Sequence, residues 1–139
     1  MMKRFTLFAL LLAVVTITGC KKDDDEKAAD NIIGKWYPTS SVETEYLNGK
    51  VISQETETDF DNEFTEFRSN GTAVDNDGDE YTYKITGSKL TMRENGDDDD
   101  EVYDIKKINS SELVIYGEST YEDGADKYKY TTEMTLKKK

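Results

Sequence analysis

Lys127-Tyr128-Lys129-Tyr130-Thr131-Thr132-Glu133-Met134-Thr135-Leu136 alternates an apolar set with a charged one. Tyr128, Tyr130, Met134 and Leu136 share one parity, while Lys127, Lys129, Glu133 and Lys137 share the other. Successive side chains of an extended chain point to opposite faces, so this period predicts a strand with one buried and one solvated side. The same alternation occurs in Tyr81, Tyr83 and Ile85 against Thr82, Lys84 and Thr86, and in Leu90 and Met92 against Lys89, Thr91 and Arg93. Threonine, tyrosine and valine are abundant, which suits a pleated, half-buried surface. A convincing helical stripe is absent from every twelve-residue window, and only a short helical turn is expected, around Thr58–Asn62.

Turn signals divide the chain into short strands. Asn48-Gly49 separates Ser40–Leu47 from Lys50–Thr58, and Asn-Gly is the strongest two-residue hairpin signal because both residues tolerate positive φ. Asn70-Gly71 follows a strand at Glu63–Ser69, and Gly87-Ser88 joins Glu80–Thr86 to Lys89–Glu94. Asn95-Gly96 opens an acidic loop before Glu101–Ile108, Asn109-Ser110 leads into Glu112–Ser119, and Glu122-Asp123-Gly124-Ala125 precedes the final strand at Lys127–Leu136. About eight antiparallel strands with one apolar face must bury that face. An up-and-down β-barrel does so and removes the exposed edges; an open sandwich is the alternative.

The chain has 139 residues and a formal net charge of −12. That length fits one domain with a small core. The charge repels phosphate backbones and excludes nucleic acid as a partner. The sequence has no histidine and a single cysteine, Cys20, so no internal disulfide forms. Ser-His-Asp and Cys-His catalysis and histidine-ligated zinc are equally excluded. Paired carboxylates could serve a glycosidase, but thirty acidic residues make proximity inevitable and nothing marks one pair for the role. The chain reads as a non-enzyme.

Residues 1–19 have the parts of a secretory signal: Lys3 and Arg4, an apolar run from Phe5 to Val15, then small residues to Gly19. The apolar run is shorter than the roughly 20 residues that span a bilayer. Thr16-Ile17-Thr18-Gly19-Cys20 resembles a bacterial lipobox, which implies acylation of Cys20 and attachment to a membrane through the acyl chains. Lys21 stands where an inner-membrane retention aspartate would be, and Lys22-Asp23-Asp24-Asp25-Glu26 is similar to the surface-export signal of Bacteroidetes lipoproteins. The expected location is the outer membrane, with the cell surface as the outward-facing option. Residues 20–31 lack periodic apolar positions and are expected to form a flexible acidic tether, with the folded domain spanning 32–139.

Ile33-Gly34-Lys35-Trp36, Thr65-Glu66-Phe67-Arg68-Ser69-Asn70-Gly71-Thr72, Tyr81-Thr82-Tyr83-Lys84-Ile85 and Gly87-Ser88-Lys89-Leu90-Thr91 occur in that order behind the cysteine. Together they resemble the short lipocalin-like domain of Bacteroidetes lipoproteins. The resemblance implies a small barrel and, in the wider lipocalin family, a cup for small apolar ligands. It departs from classical lipocalins in its shorter length and lack of disulfides, and a compact eight-stranded barrel can also be filled by its own side chains.

Trp36 is either a wall of that cup or, as the resemblance implies, a plug at the closed end. Tyr81, Tyr83, Tyr103, Tyr128 and Tyr130 are the candidate ligand-contacting residues, since buried hydroxyls need partners, water or a ligand; ordinary packing is the alternative. Asp75, Asp77 and Asp79 in Asp75-Asn76-Asp77-Gly78-Asp79-Glu80 are candidate ligands for weakly bound calcium. The EF-hand template is not met, because Gly78 falls too early and Thr86 stands where a bidentate glutamate belongs. A solvated turn is the alternative there, as for Asp97-Asp98-Asp99-Asp100-Glu101. No other cofactor is implied. The expected function is non-catalytic binding of a small, partly apolar molecule. A solid barrel that contacts an envelope protein or a glycan is the competing expectation, and a calcium-dependent adhesin is a third.

Overall fold

The computed structural model describes residues 21–139. The expected signal segment and Cys20 lie outside the described residues. A helix, α1 (Lys21–Ile32), leads into nine strands: β1 (Gly34–Leu47), β2 (Lys50–Glu57), β3 (Thr65–Phe67), β4 (Thr72–Asp75), β5 (Glu80–Thr86), β6 (Lys89–Glu94), β7 (Glu101–Ile108), β8 (Glu112–Asp123) and β9 (Asp126–Lys138). All pairings are antiparallel, and β1 pairs with β9 to close the sheet. The closed ring has eight strands, β1 and β3 to β9. The all-β antiparallel barrel expected from the alternation is the observed fold.

The ninth strand, β2, stands outside the ring. Gly34–Trp36 of β1 pair with β3, whereas Ser41–Leu47 pair with β2 on that same side. Between these stretches lies Pro38, beside an irregularity in the β1–β9 register at Pro38/Ser40. Proline has no N–H to give to a ladder, so it suits the point where β1 changes neighbours. Beyond it, β2, β1, β9 and β8 continue as a four-stranded sheet that projects past the ring. Asn48 joins the two hairpin tips of this sheet: its N–H donates to the Lys127 carbonyl (2.8 Å), and its Oδ1 accepts from the Lys127 N–H (2.9 Å). Asn48 and Gly49 have φ of 51° and 82°, as the Asn-Gly hairpin signal requires.

The core sits at the closed end and consists of Ile32, Trp36, Phe67, Ala73, Leu90, Leu113 and Leu136. Trp36 is fully buried. Its indole N–H donates to the Ile32 carbonyl at 2.6 Å, and the Lys138 ammonium lies 4.7 Å from the ring centroid. That ammonium also donates to the carbonyls of Asn31 (2.7 Å) and Ile33 (2.6 Å). The last carbonyls of a helix have no partner within it, and α1 has no basic residue in its own last turn. Lys138 supplies the missing cation from the other end of the chain.

Over its described part, residues 21–31, this arrangement corrects the expectation of a flexible tether at 20–31. Residues 21–32 are helical, and Ala28 and Ile32, one helical turn apart, are both buried. Two apolar residues are too few to register as a stripe, but they suffice to dock the helix against β5 and β7. The expected helical turn at Thr58–Asn62 is absent. The strand expected at Glu63–Ser69 shortens to Thr65–Phe67, and the Gly71 N–H donates to the Arg68 carbonyl (3.2 Å) in the turn that follows into β4.

Replacing Trp36 with Phe leaves the buried Ile32 carbonyl unpaired and shrinks a filled site. The expected loss is about 2–4 kcal/mol, read as a lower urea midpoint at unchanged slope. Lys138→Met is expected to lower stability by about 1 kcal/mol in the same measurement.

Candidate ligand-binding site

Above the Trp36 floor the ring holds a cavity of about 280 Å³. Its lower wall is apolar, with Phe67, Leu90, Leu113, Ile115, Met134 and Leu136; Tyr81, Tyr103, Glu101 and Thr132 stand nearer its mouth. Strand parity places these groups. Ile115 faces Met134 and Leu113 faces Leu136 across β8 and β9, and Leu90 faces Tyr103 across β6 and β7. Directly opposed residues share a face, so the pairs build one inner surface.

The mouth results from incomplete pairing. β7 pairs with β8 only over Asp104–Ile108, with a register shift between Ile105 and Lys107. Glu101–Tyr103 and Gly117–Ser119 therefore separate, leaving a second hollow of about 380 Å³ between them. A third, of about 270 Å³, lies between β1, β2 and β9, lined by Glu43, Glu45, Ser53, Glu55 and Tyr130. All three hollows share Thr132. Tyr103 covers the backbone of Gly117 so closely that a Cβ there would lie 3.1 Å from the ring.

The tyrosine hydroxyls are paired with carboxylates. Tyr103 donates to Glu101 Oε2 (2.7 Å), Tyr81 to Asp75 Oδ2 (3.1 Å) and Tyr130 to Glu45 Oε1 (2.7 Å). Burial, followed by the Asp75 hydrogen bond, pushes the Tyr81 phenol up to about 12. Burial and then Glu101 raise that of Tyr103 further. In both cases the neighbouring negative charge opposes forming a second one.

The candidate residues thus separate into groups. Tyr81 and Tyr103 line the cavity; Trp36 does not, and is buried in the core behind Leu90, Leu113 and Leu136, which do. Tyr83 turns away, donating to the Arg68 carbonyl (2.7 Å) and meeting Phe67 edge-on at 5.0 Å. Tyr128 and Tyr130 have the inward parity but lie on the projecting sheet, where Tyr121 stacks on Tyr128 at 4.7 Å and on Tyr130 at 5.9 Å. Asp75, Asp77 and Asp79 do not converge. The Asp75 carboxylate accepts from the N–H groups of Asp77 and Asp79, both at 3.0 Å, and from Tyr81. Among the described residues no three acidic or cysteine side chains are arranged to hold a metal ion. In the second acidic run, Asp100 pairs with Arg93 at 2.7 Å. Sequence reasoning missed Glu101, although it shares parity with Tyr103, and missed Glu43 and Glu45, whose strand has no clear alternation.

A family model described as the lipocalin-like domain matches residues 32–115, more than half of the chain. The chain belongs to this lipocalin-like family. Among solved structures it is similar to lobster apocrustacyanin A1, with a TM-score of 0.45 and 9% identity over 84% of this chain and 66% of that one. Comparison with curated proteins gave no significant match.

Gly117→Ala is expected to displace the Tyr103 ring and lower stability by about 1–3 kcal/mol, seen in denaturant unfolding. Alkaline pH tests the phenol pairs. Tyrosine titrates near 10 in an unfolded chain, so the stabilising contribution of Tyr81 and Tyr103 is complete below that pH. It is lost as pH rises through the higher folded values. The unfolding midpoint should fall between about pH 10 and 12, and fall less in Tyr81→Phe.

Proposed function

We propose that the protein binds a small, partly apolar molecule inside the barrel and performs no catalysis on it. The observation that carries this reading is the open cavity of about 280 Å³. A barrel filled by its own side chains would leave no such space. The volume is near the lower end for small-molecule sites, and the lining is mostly apolar with a few polar groups at one end, the usual composition of such sites. Membership of the lipocalin-like family supports the same reading. The absence of histidine from the chain and, among the described residues, of cysteine, lysine or arginine from the cavity wall supports a non-catalytic role.

We further propose that the domain is exported and held at the outer membrane, facing the cell surface, by acyl chains on Cys20. The support is the sequence Thr16–Cys20 and the lysine-then-acid run behind it. A weakly bound calcium ion would be an accessory at most, since Asp75 is engaged within its own turn.

One observation favours the second reading, an interaction module for an envelope protein or glycan. Val51 and Ile52 of β2 are 57% and 51% exposed, and among the described residues no strand pairs with the outer edge of β2. Such an edge can accept a partner.

The deciding experiment is titration of the purified protein with the neutral fluorophore N-phenyl-1-naphthylamine. Its emission should rise on binding. Ile115→Phe, which fills the cavity, and Thr132→Trp, which narrows the shared mouth, should each weaken binding by about tenfold or more. A response that neither variant alters, or no response at all, would overturn the cavity reading and leave the interaction module.

A further inference from the structure

We infer that the bound molecule is cationic: an apolar body carrying a protonated amine. This rests on the ligand-binding reading above and assigns the chemical class of its ligand.

The first argument is the hydrogen-bonding character of the mouth. Tyr103 and Tyr130 direct their hydroxyl protons onto Glu101 and Glu45. Tyr81 is likewise engaged with Asp75. A phenol that donates to a carboxylate has no proton left for a ligand. Asp75 is filled by the N–H groups of its own turn, but the second oxygen of Glu101 and of Glu45 is a further acceptor. An ammonium group has three donors and no acceptor, which complements such a mouth; a carboxylate or phosphate ligand would meet only like charge.

The second argument is the register of β1 and β2. Glu43 stands directly opposite Glu55 across the strand pair and opposite Thr132 on β9, and Glu45 stands opposite Tyr130. Like charges directly opposed on one face destabilise a sheet. Among the described residues, none of Glu43, Glu45, Glu55 and Glu101 is in an ion pair. Among the described residues no lysine or arginine lines any of the three hollows that meet at Thr132. Several cations of the adjoining strands are engaged elsewhere: Lys129 sits over the outward Tyr46 ring, Lys89 pairs with Asp104, Arg93 with Asp100, and Lys107 and Lys137 with Glu112. A positive head group at the mouth would relieve the Glu43–Glu55 repulsion while its chain occupies the apolar wall below.

The test is calorimetric titration of the purified protein, at low ionic strength, with three eight-carbon probes: octylammonium, octanol and octanoate. Octylammonium is expected to bind about tenfold or more tightly than octanol, with octanoate weakest. The preference should shrink as salt is added. Glu43→Gln/Glu55→Gln should reduce it several-fold, while Glu133→Gln, on the outward face, should leave it intact. Unfolding curves of each variant establish that the barrel is retained. Equal affinity for octanol and octylammonium would overturn the charge assignment and leave the cavity reading standing. Undiminished octylammonium binding by Ile115→Phe would place that binding on the acidic exterior and also overturn it. Failure of all three probes to bind would overturn both readings.

Discussion

The structure depends on the meeting of Trp36, Ile32 and Lys138 at the closed end of the barrel. The Ile32 carbonyl, buried in the core, would otherwise be unpaired, and those of Asn31 and Ile33 beside it also lie where α1 ends and β1 begins. The Trp36 indole takes one, and the Lys138 ammonium takes the other two while lying against the indole face. The same contacts hold the start of β1 beside the end of β9, where Trp36 and Lys138 are register partners. The indole bond to Ile32 and the Lys138 bonds to Asn31 and Ile33 thus fall on three successive residues, so one short stretch of chain ties the helix to the first and last strands of the barrel.

Above the floor, apolar and polar demands separate by height. The lower wall offers only leucine, isoleucine, methionine and phenylalanine, and the polar groups begin at Tyr81 and Tyr103. The phenol–carboxylate pairs satisfy the hydroxyls of these large side chains, which allows them to stand at a cavity wall. They also fix the rings. Tyr103 is held between Glu101 and the bare backbone of Gly117, so a Cβ at this glycine would press on the ring and shift it at the mouth.

Much of this was legible in the sequence. Alternation in Tyr81–Thr86, Lys89–Arg93 and Lys127–Leu136 marked the inner face, and Asn48-Gly49 marked its hairpin, because these signals are local. Where long-range geometry decides, the reading stopped short. Parity gave Tyr128 and Tyr130 the face of Met134 and Leu136 but could not show that β9 outruns the ring. The departure of β2 from the barrel follows from the change of neighbours at Pro38, which no property of Lys50–Thr58 announces. The helix at Lys21–Ile32 was hidden because its burial rests on Ala28 and Ile32, and because the cation that caps it lies more than one hundred residues away in sequence.

The closure of β1 upon β9 has a kinetic consequence. The first strand of the ring finds its partner in the last, and their longest-range pair, Trp36 with Lys138, spans nearly the whole domain. Loop-closure entropy makes such contacts late and slow. Until β9 is complete, β1 has only the β2 hairpin and a three-residue ladder to β3. A partly made chain therefore stays open and pliable, and the barrel takes shape only when its final strand arrives.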